Sequence, residues 1–143
     1  MTVWQALDVQ AKVCAALGQV TIVNQDGHHF GRPYMTAYQL AIKLHRAHPE
    51  VAEALNVDLG GRGTGARNSL AQYLARELSS RIRRAGESFP VEGAFLSNDE
   101  LVEMRYLTPA GEPLRSSLTG SGWDLSLFRL RVPGPEKAQP ARV

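Results

Sequence analysis

The chain of 143 residues holds a single cysteine, Cys14, so it cannot close an internal disulfide, and a small secreted disulfide scaffold is excluded. No run approaches the roughly 18 consecutive apolar residues of a membrane span. The N-terminus carries Asp8 and no basic run ahead of its apolar residues, so it does not read as a signal peptide. A cytoplasmic protein with no membrane partner is expected. Catalytic signatures are missing too: there is no Gly-x-Ser-x-Gly elbow, paired-carboxylate motif or cysteine-histidine signature. The sequence therefore predicts no enzyme and no cofactor. Charge of one sign is also scarce, with a formal net of only +2, which by itself points to no partner. What the chain does have is 43% hydrophobic residues, enough for one ordinary domain with its own core.

The near-neutrality conceals an asymmetry. Residues 1–58 and residues 92–143 are each net −1, whereas residues 59–91 are net +4, and every cation there is arginine: Arg62, Arg67, Arg76, Arg81, Arg83 and Arg84. Guanidinium forks match phosphate geometry better than ammonium groups do.

Hydrophobic periodicity orders the elements. Val3, Leu7, Cys14 and Leu17 recur at helical spacing, predicting one helix over about 3–17 that stops at Gly18. The β-branched run Val20–Val23 reads as a strand closed by a turn at 24–27. After a loop over 28–33, Thr36 and Gln39 have the form of a capping box for a helix that buries Leu40, Ala41, Leu44 and Ala47. Pro49 should end that helix and open a short one through Leu55. The segment 60–65, with four glycines in six residues, cannot be regular. It leads into the most strongly patterned helix, about Arg67 to Arg84. One stripe of that helix is Leu70, Ala71, Leu74, Ala75, Leu78 and Ile82; the opposite face carries Ser69, Gln72, Arg76, Ser80 and Arg83. Beyond Gly86, a short strand is expected near 91–96 and two alternating ones at Val102–Leu107 and Leu125–Val132, joined by the long loop 108–123. Trp4, Tyr106 and Phe128 read as core aromatics, while Trp123 ends the loop. Residues 133–143 form a tail without periodicity, expected to be disordered, which leaves one domain over 1–132.

This order of helix, strand, two helices with a break, basic helix and two strands resembles a winged helix-turn-helix domain. The resemblance implies an α+β fold, helical over its N-terminal two-thirds and followed by a small antiparallel β-wing. It also implies duplex DNA as the partner of a small regulatory or accessory protein, a role for which a homodimer would suit a two-fold site. The spacing departs from the family, since roughly ten residues including the glycines separate Leu55 from the basic helix where three or four are usual. On this reading Gln72 and Arg76 face base edges. Arg62 and Arg67 hold phosphates beside the helix N-terminus, Ser69, Ser80 and Arg83 complete the face, and Arg115 reaches out from the wing. The alternative is a protein-interaction module that docks the basic helix on an acidic partner.

Other motifs favour ordinary readings. The glycine segment continues as Gly65-Ala66-Arg67-Asn68-Ser69 and lacks the Gly-Lys-Ser/Thr of a phosphate-binding loop. His45 and His48 are three apart, with His28 and His29 upstream, but no third ligand stands at metal-binding spacing; histidines near a helix end facing carbonyl groups are the simpler reading. Asp99, Glu100 and Glu103 read as a solvated approach to a strand.

Overall fold

The computed structural model describes residues 1–20, 30–60, 69–108, 111, 113–115 and 124–131. Its helices are α1 (Val3–Ala6), α2 (Val9–Gly18), α3 (Ala37–Ala47), α4 (Glu50–Leu55) and α5 (Leu70–Ala85). Its strands are β1 (Met35–Thr36), β2 (Val91–Leu96), β3 (Arg105–Tyr106), β4 (Leu114–Arg115) and β5 (Leu125–Leu130). The chain is thus a mixed α+β domain with antiparallel sheets of three and two strands.

The first expected helix is two. Asp8 adopts a left-handed backbone at φ 51° and breaks the run, so the registers of α1 and α2 differ. In consequence Val9, Val13, Ala16 and Leu17 are the buried side chains of α2, and Val3, Leu7 and Cys14 are only half-buried. Trp4 is buried beneath Arg81, whose guanidinium lies 4.2 Å from the ring centroid. Gly18 closes α2 as its composition suggests.

Val20 is not in a strand, and Thr21–Val23 lie outside the described residues. The strand that precedes α3 is Met35–Thr36 instead. The capping box of α3 forms in full: Thr36 N–H donates to Gln39 Oε1 at 2.7 Å, and Gln39 N–H donates to Thr36 Oγ1 at 3.1 Å. Leu40, Ala41 and Leu44 are buried, but Ala47, in the last turn, is exposed. Pro49 separates α3 from α4 at the expected place. His48 Nδ1 meets the Glu50 carboxylate at 3.3 Å, a carboxylate rather than a carbonyl, and Lys12 of α2 reaches the same carboxylate at 3.6 Å.

The larger sheet has the order β1-β5-β2, with β5 central. Val91 pairs with Leu130 and Leu96 with Leu125 across β2 and β5, while Met35 pairs with Phe128 across β1 and β5. Residues 125–130 therefore do not pair with 102–107, contrary to the expected wing. Instead Arg105–Tyr106 pairs with Leu114–Arg115, inside the segment read as a loop, and only Tyr106 of the Val102, Met104, Tyr106 face is buried. Tyr106 stacks on Tyr38 at 5.4 Å between ring centroids, which docks β3 against α3.

One aliphatic core joins these pieces. Leu40 and Leu44 of α3, Leu70, Leu74 and Leu78 of α5, and Phe128 of β5 are all fully buried. At roughly 1.5–3 kcal/mol for each large apolar side chain, this cluster dominates the stability. The tail from Val132 onward, Trp123 and most of the 108–123 segment lie outside the described residues.

Candidate nucleic-acid interface

Helix α5 begins at Leu70, three residues later than the charge pattern suggests, because Ser69 is its N-cap. The Ser69 hydroxyl accepts from Gln72 N–H at 3.0 Å, and the residue is only 1% exposed. Ser69 thus belongs to the helix terminus and not to the open face on which the wheel put it. Leu70 N–H donates to Asp58 C=O at 2.7 Å, and Ala71 N–H donates to Leu59 C=O at 2.9 Å. The first amide donors of α5 are therefore satisfied within the chain, so the phosphate site imagined at this helix start has no free amides at Leu70, Ala71 or Gln72. Arg62 and Arg67, assigned to that site, lie outside the described residues.

The same contacts account for Gly60, the first residue of the glycine segment. Asp58 and Ser69 form a parallel bridge, so the chain leaves at Asp58 and returns beside itself at Ser69. Gly60, at φ +135°, sits where a Cβ would come within 3.1 Å of Ala71 Cβ and 3.3 Å of Ser69 Oγ. This bridge closes a neck between Asp58 and Ser69; residues 61–68 lie outside the described residues.

Beyond this neck the two sides of α5 separate as the periodicity predicts. Leu70, Ala71, Leu74 and Leu78 are buried, with Ala75 and Ile82 packed against the same core. At 100° per residue Gln72, Arg76 and Arg83 fall within a sector of about 40° on the opposite side. Arg76 and Arg83 are exposed; Gln72 is half-buried beside Ala37, Tyr38 and Ser126. Ser80 is half-buried and lies off the centre of this sector. Ser79 lies nearer to it, and its seven-residue spacing from Gln72 was the signal that pointed there.

The arginines divide into two groups. Arg81 is paired with Glu77 while it covers Trp4. Arg129 and Arg131 share Glu92, at 2.6 and 3.3 Å. Arg105 and Arg115 share Glu103, at 3.2 and 3.7 Å, so Arg115 is a strand residue with a carboxylate partner rather than a free cation at a loop tip. Arg32 donates to the Val20 carbonyl at 2.8 Å. Among the described residues, Arg32, Arg46, Arg76, Arg83 and Arg84 have no carboxylate partner; Arg32 is engaged by the Val20 carbonyl, and three of the other four lie on α5.

A groove of about 320 Å³ runs alongside α5, between Ser79, Ile82 and Arg83 on the helix and Gly93, Ala94 and Phe95 on β2. Phe95 is 71% exposed. Sequence reasoning missed this wall, since neither periodicity nor charge shows that β2 lies alongside α5. Gly93 lies against Ile82 at ordinary van der Waals distance, since a Cβ there would stand 3.4 Å from Ile82 Cδ1.

No family model matches this chain, and no curated protein or solved structure is detectably similar to it. No cluster of three or more metal-ligating side chains occurs among the described residues, and no helix there is long and apolar enough to cross a membrane.

Proposed function

We propose that this chain is a nucleic-acid-binding domain of winged helix-turn-helix type, with duplex DNA as its partner and α5 as the element that enters the major groove. The observation that carries the reading is the face of Gln72, Arg76 and Arg83: guanidinium groups left without carboxylates on one side of a well-anchored helix, in a domain whose other described arginines are mostly neutralised. Arg76 offers two donors to a guanine edge and Gln72 an amide to adenine. The topology supports the same reading, because a strand precedes α3 and returns to the sheet beside β5, with α5 leading directly into β2. A domain with one such face suits a regulatory or accessory role.

The test is fluorescence anisotropy with labelled duplexes of varied sequence at 50 and 200 mM salt. The expected result is binding that weakens steeply with salt, with non-specific affinity on the order of 10⁻⁴–10⁻⁶ M. Arg76→Ala with Gln72→Ala should alter sequence preference, and Arg83→Ala should weaken all duplexes alike. No duplex affinity at 50 mM salt would contradict the proposal.

A protein partner is the second reading, and Phe95 favours it, since an exposed aromatic ring beside Arg83 is better suited to an interface core than to a phosphate. If DNA is the partner, Phe95→Ala leaves duplex affinity within about twofold, well under the 1.4 kcal/mol of a tenfold change.

A further inference from the structure

A second groove, on the far side of α3 from its buried stripe, carries chemistry that the α5 face does not use. It measures about 280 Å³ and is lined by Gln39, Lys43 and Arg46 of α3 together with Arg105, Tyr106 and Leu107 of the β3 segment; Met35 and Ile42 complete it. Lys43 and Arg46 have no carboxylate partner among the described residues, and Arg105 meets Glu103 through its Nε. Among the described residues, no acidic side chain lines the groove. Its floor is apolar, since Ile42 and Tyr106 are each 6% exposed, whereas Leu107 stands at the rim 80% exposed.

We infer that this groove binds a small amphiphilic anion: a carboxylate or phosphate head held by Lys43, Arg46 and Arg105, on an apolar body covered by Leu107, Met35 and Ile42. Charge complementarity selects the head. Lys43 and Arg46, neither with a carboxylate partner among the described residues, line one concavity together with the Glu103-paired Arg105, and an anion there gains charge-assisted hydrogen bonds. The apolar floor and the exposed Leu107 select the body, because a bare inorganic anion leaves that surface in water. The volume, just under the roughly 300–1,000 Å³ usual for ligand pockets, suits a small molecule rather than a macromolecular surface. The side chain of Gln39 is committed to the capping box and the Tyr106 ring to its stack on Tyr38, so the walls are preformed. The site is independent of the α5 reading and stands or falls separately from it.

The probe is 8-anilinonaphthalene-1-sulfonate, an aromatic anion whose fluorescence rises on apolar burial, titrated into the full chain at neutral pH. Saturable 1:1 binding is expected, displaced by dodecanoate or dodecyl phosphate but not by inorganic phosphate; whichever of the two displaces more strongly identifies the head. Backbone amide shifts in a ¹⁵N-labelled sample should concentrate at residues 35–46 and 104–107. The Lys43→Gln, Arg46→Gln double variant, which changes only the outward face of α3, should weaken binding about tenfold or more. Absence of saturable binding, equal displacement by inorganic phosphate, unchanged affinity in the double variant, or shifts centred on the α5 groove would each overturn the inference.

Discussion

Gly60 and Ser69 do the most with the least side chain. Gly60 takes a φ that L side chains rarely adopt and has Ala71 and Ser69 against it, so Gly60→Ala should cost about 2–3 kcal/mol, read as a lowered denaturation midpoint. Ser69→Ala removes an N-cap and should cost about 1 kcal/mol in the same measurement. The signal for Ser69 was present: Ser69 and Gln72 repeat the spacing of Thr36 and Gln39, yet the charged run around Arg67 drew the helix start forward. Tyr106 supplies a pH test. Burial raises its phenol pKa above the usual value, followed by an opposing hydrogen bond from the Thr36 side chain. The folded state therefore favours the neutral phenol, and this contribution is complete below about pH 10 and lost as pH rises through the folded pKa. Tyr106→Phe should flatten the loss of stability above pH 10 in denaturation series. It should not abolish that loss, because burial shifts Tyr73 and Cys14 upward as well.

At the scale of elements, legibility followed the range of the interactions. The cap of α3 and the buried stripes of α3 and α5 rest on residues three or four apart, so local pattern located them, whereas the cap of α5 at Ser69 was passed over. The break at Asp8 escaped because apolar residues continue across it, and only the backbone angle separates α1 from α2. Strand pairing was least legible. The alternation at 102–107 and 125–132 gave no register, and the partner of β5 was decided by packing on α5 and by Glu92. That carboxylate holds Arg129 and Arg131 of β5 from the neighbouring strand, and Arg129 also donates to the carbonyls of Phe30 and Arg32 while it stacks over Tyr34 at 4.4 Å. Arg129 thereby ties the segment 30–34 to the sheet. Arg129→Ala should destabilise the domain by about 2–3 kcal/mol and raise hydrogen exchange in residues 30–36 above that elsewhere. Equal changes throughout the chain would mean that the tie is not local.

For the whole molecule, the +2 of the full chain and the +4 of its middle segment are both less informative than the division between engaged and unengaged arginines. Charge counting placed Arg62, Arg67, Arg76 and Arg83 in one segment, and the winged-helix resemblance added Arg115. The structure sets Arg115 beside Glu103 and leaves Arg76 and Arg83 on one open face, a distinction invisible in sequence because Glu103 and Glu92 act across strand pairs. The central claim is that this face of α5 binds duplex DNA, and the most direct test is the salt dependence of duplex binding for the native chain against Arg76→Ala, Arg83→Ala. The account predicts that the double variant binds at least tenfold more weakly at 50 mM salt, with a log-log salt slope shallower by about one to two. Equal affinity and equal slope for the two proteins would contradict it.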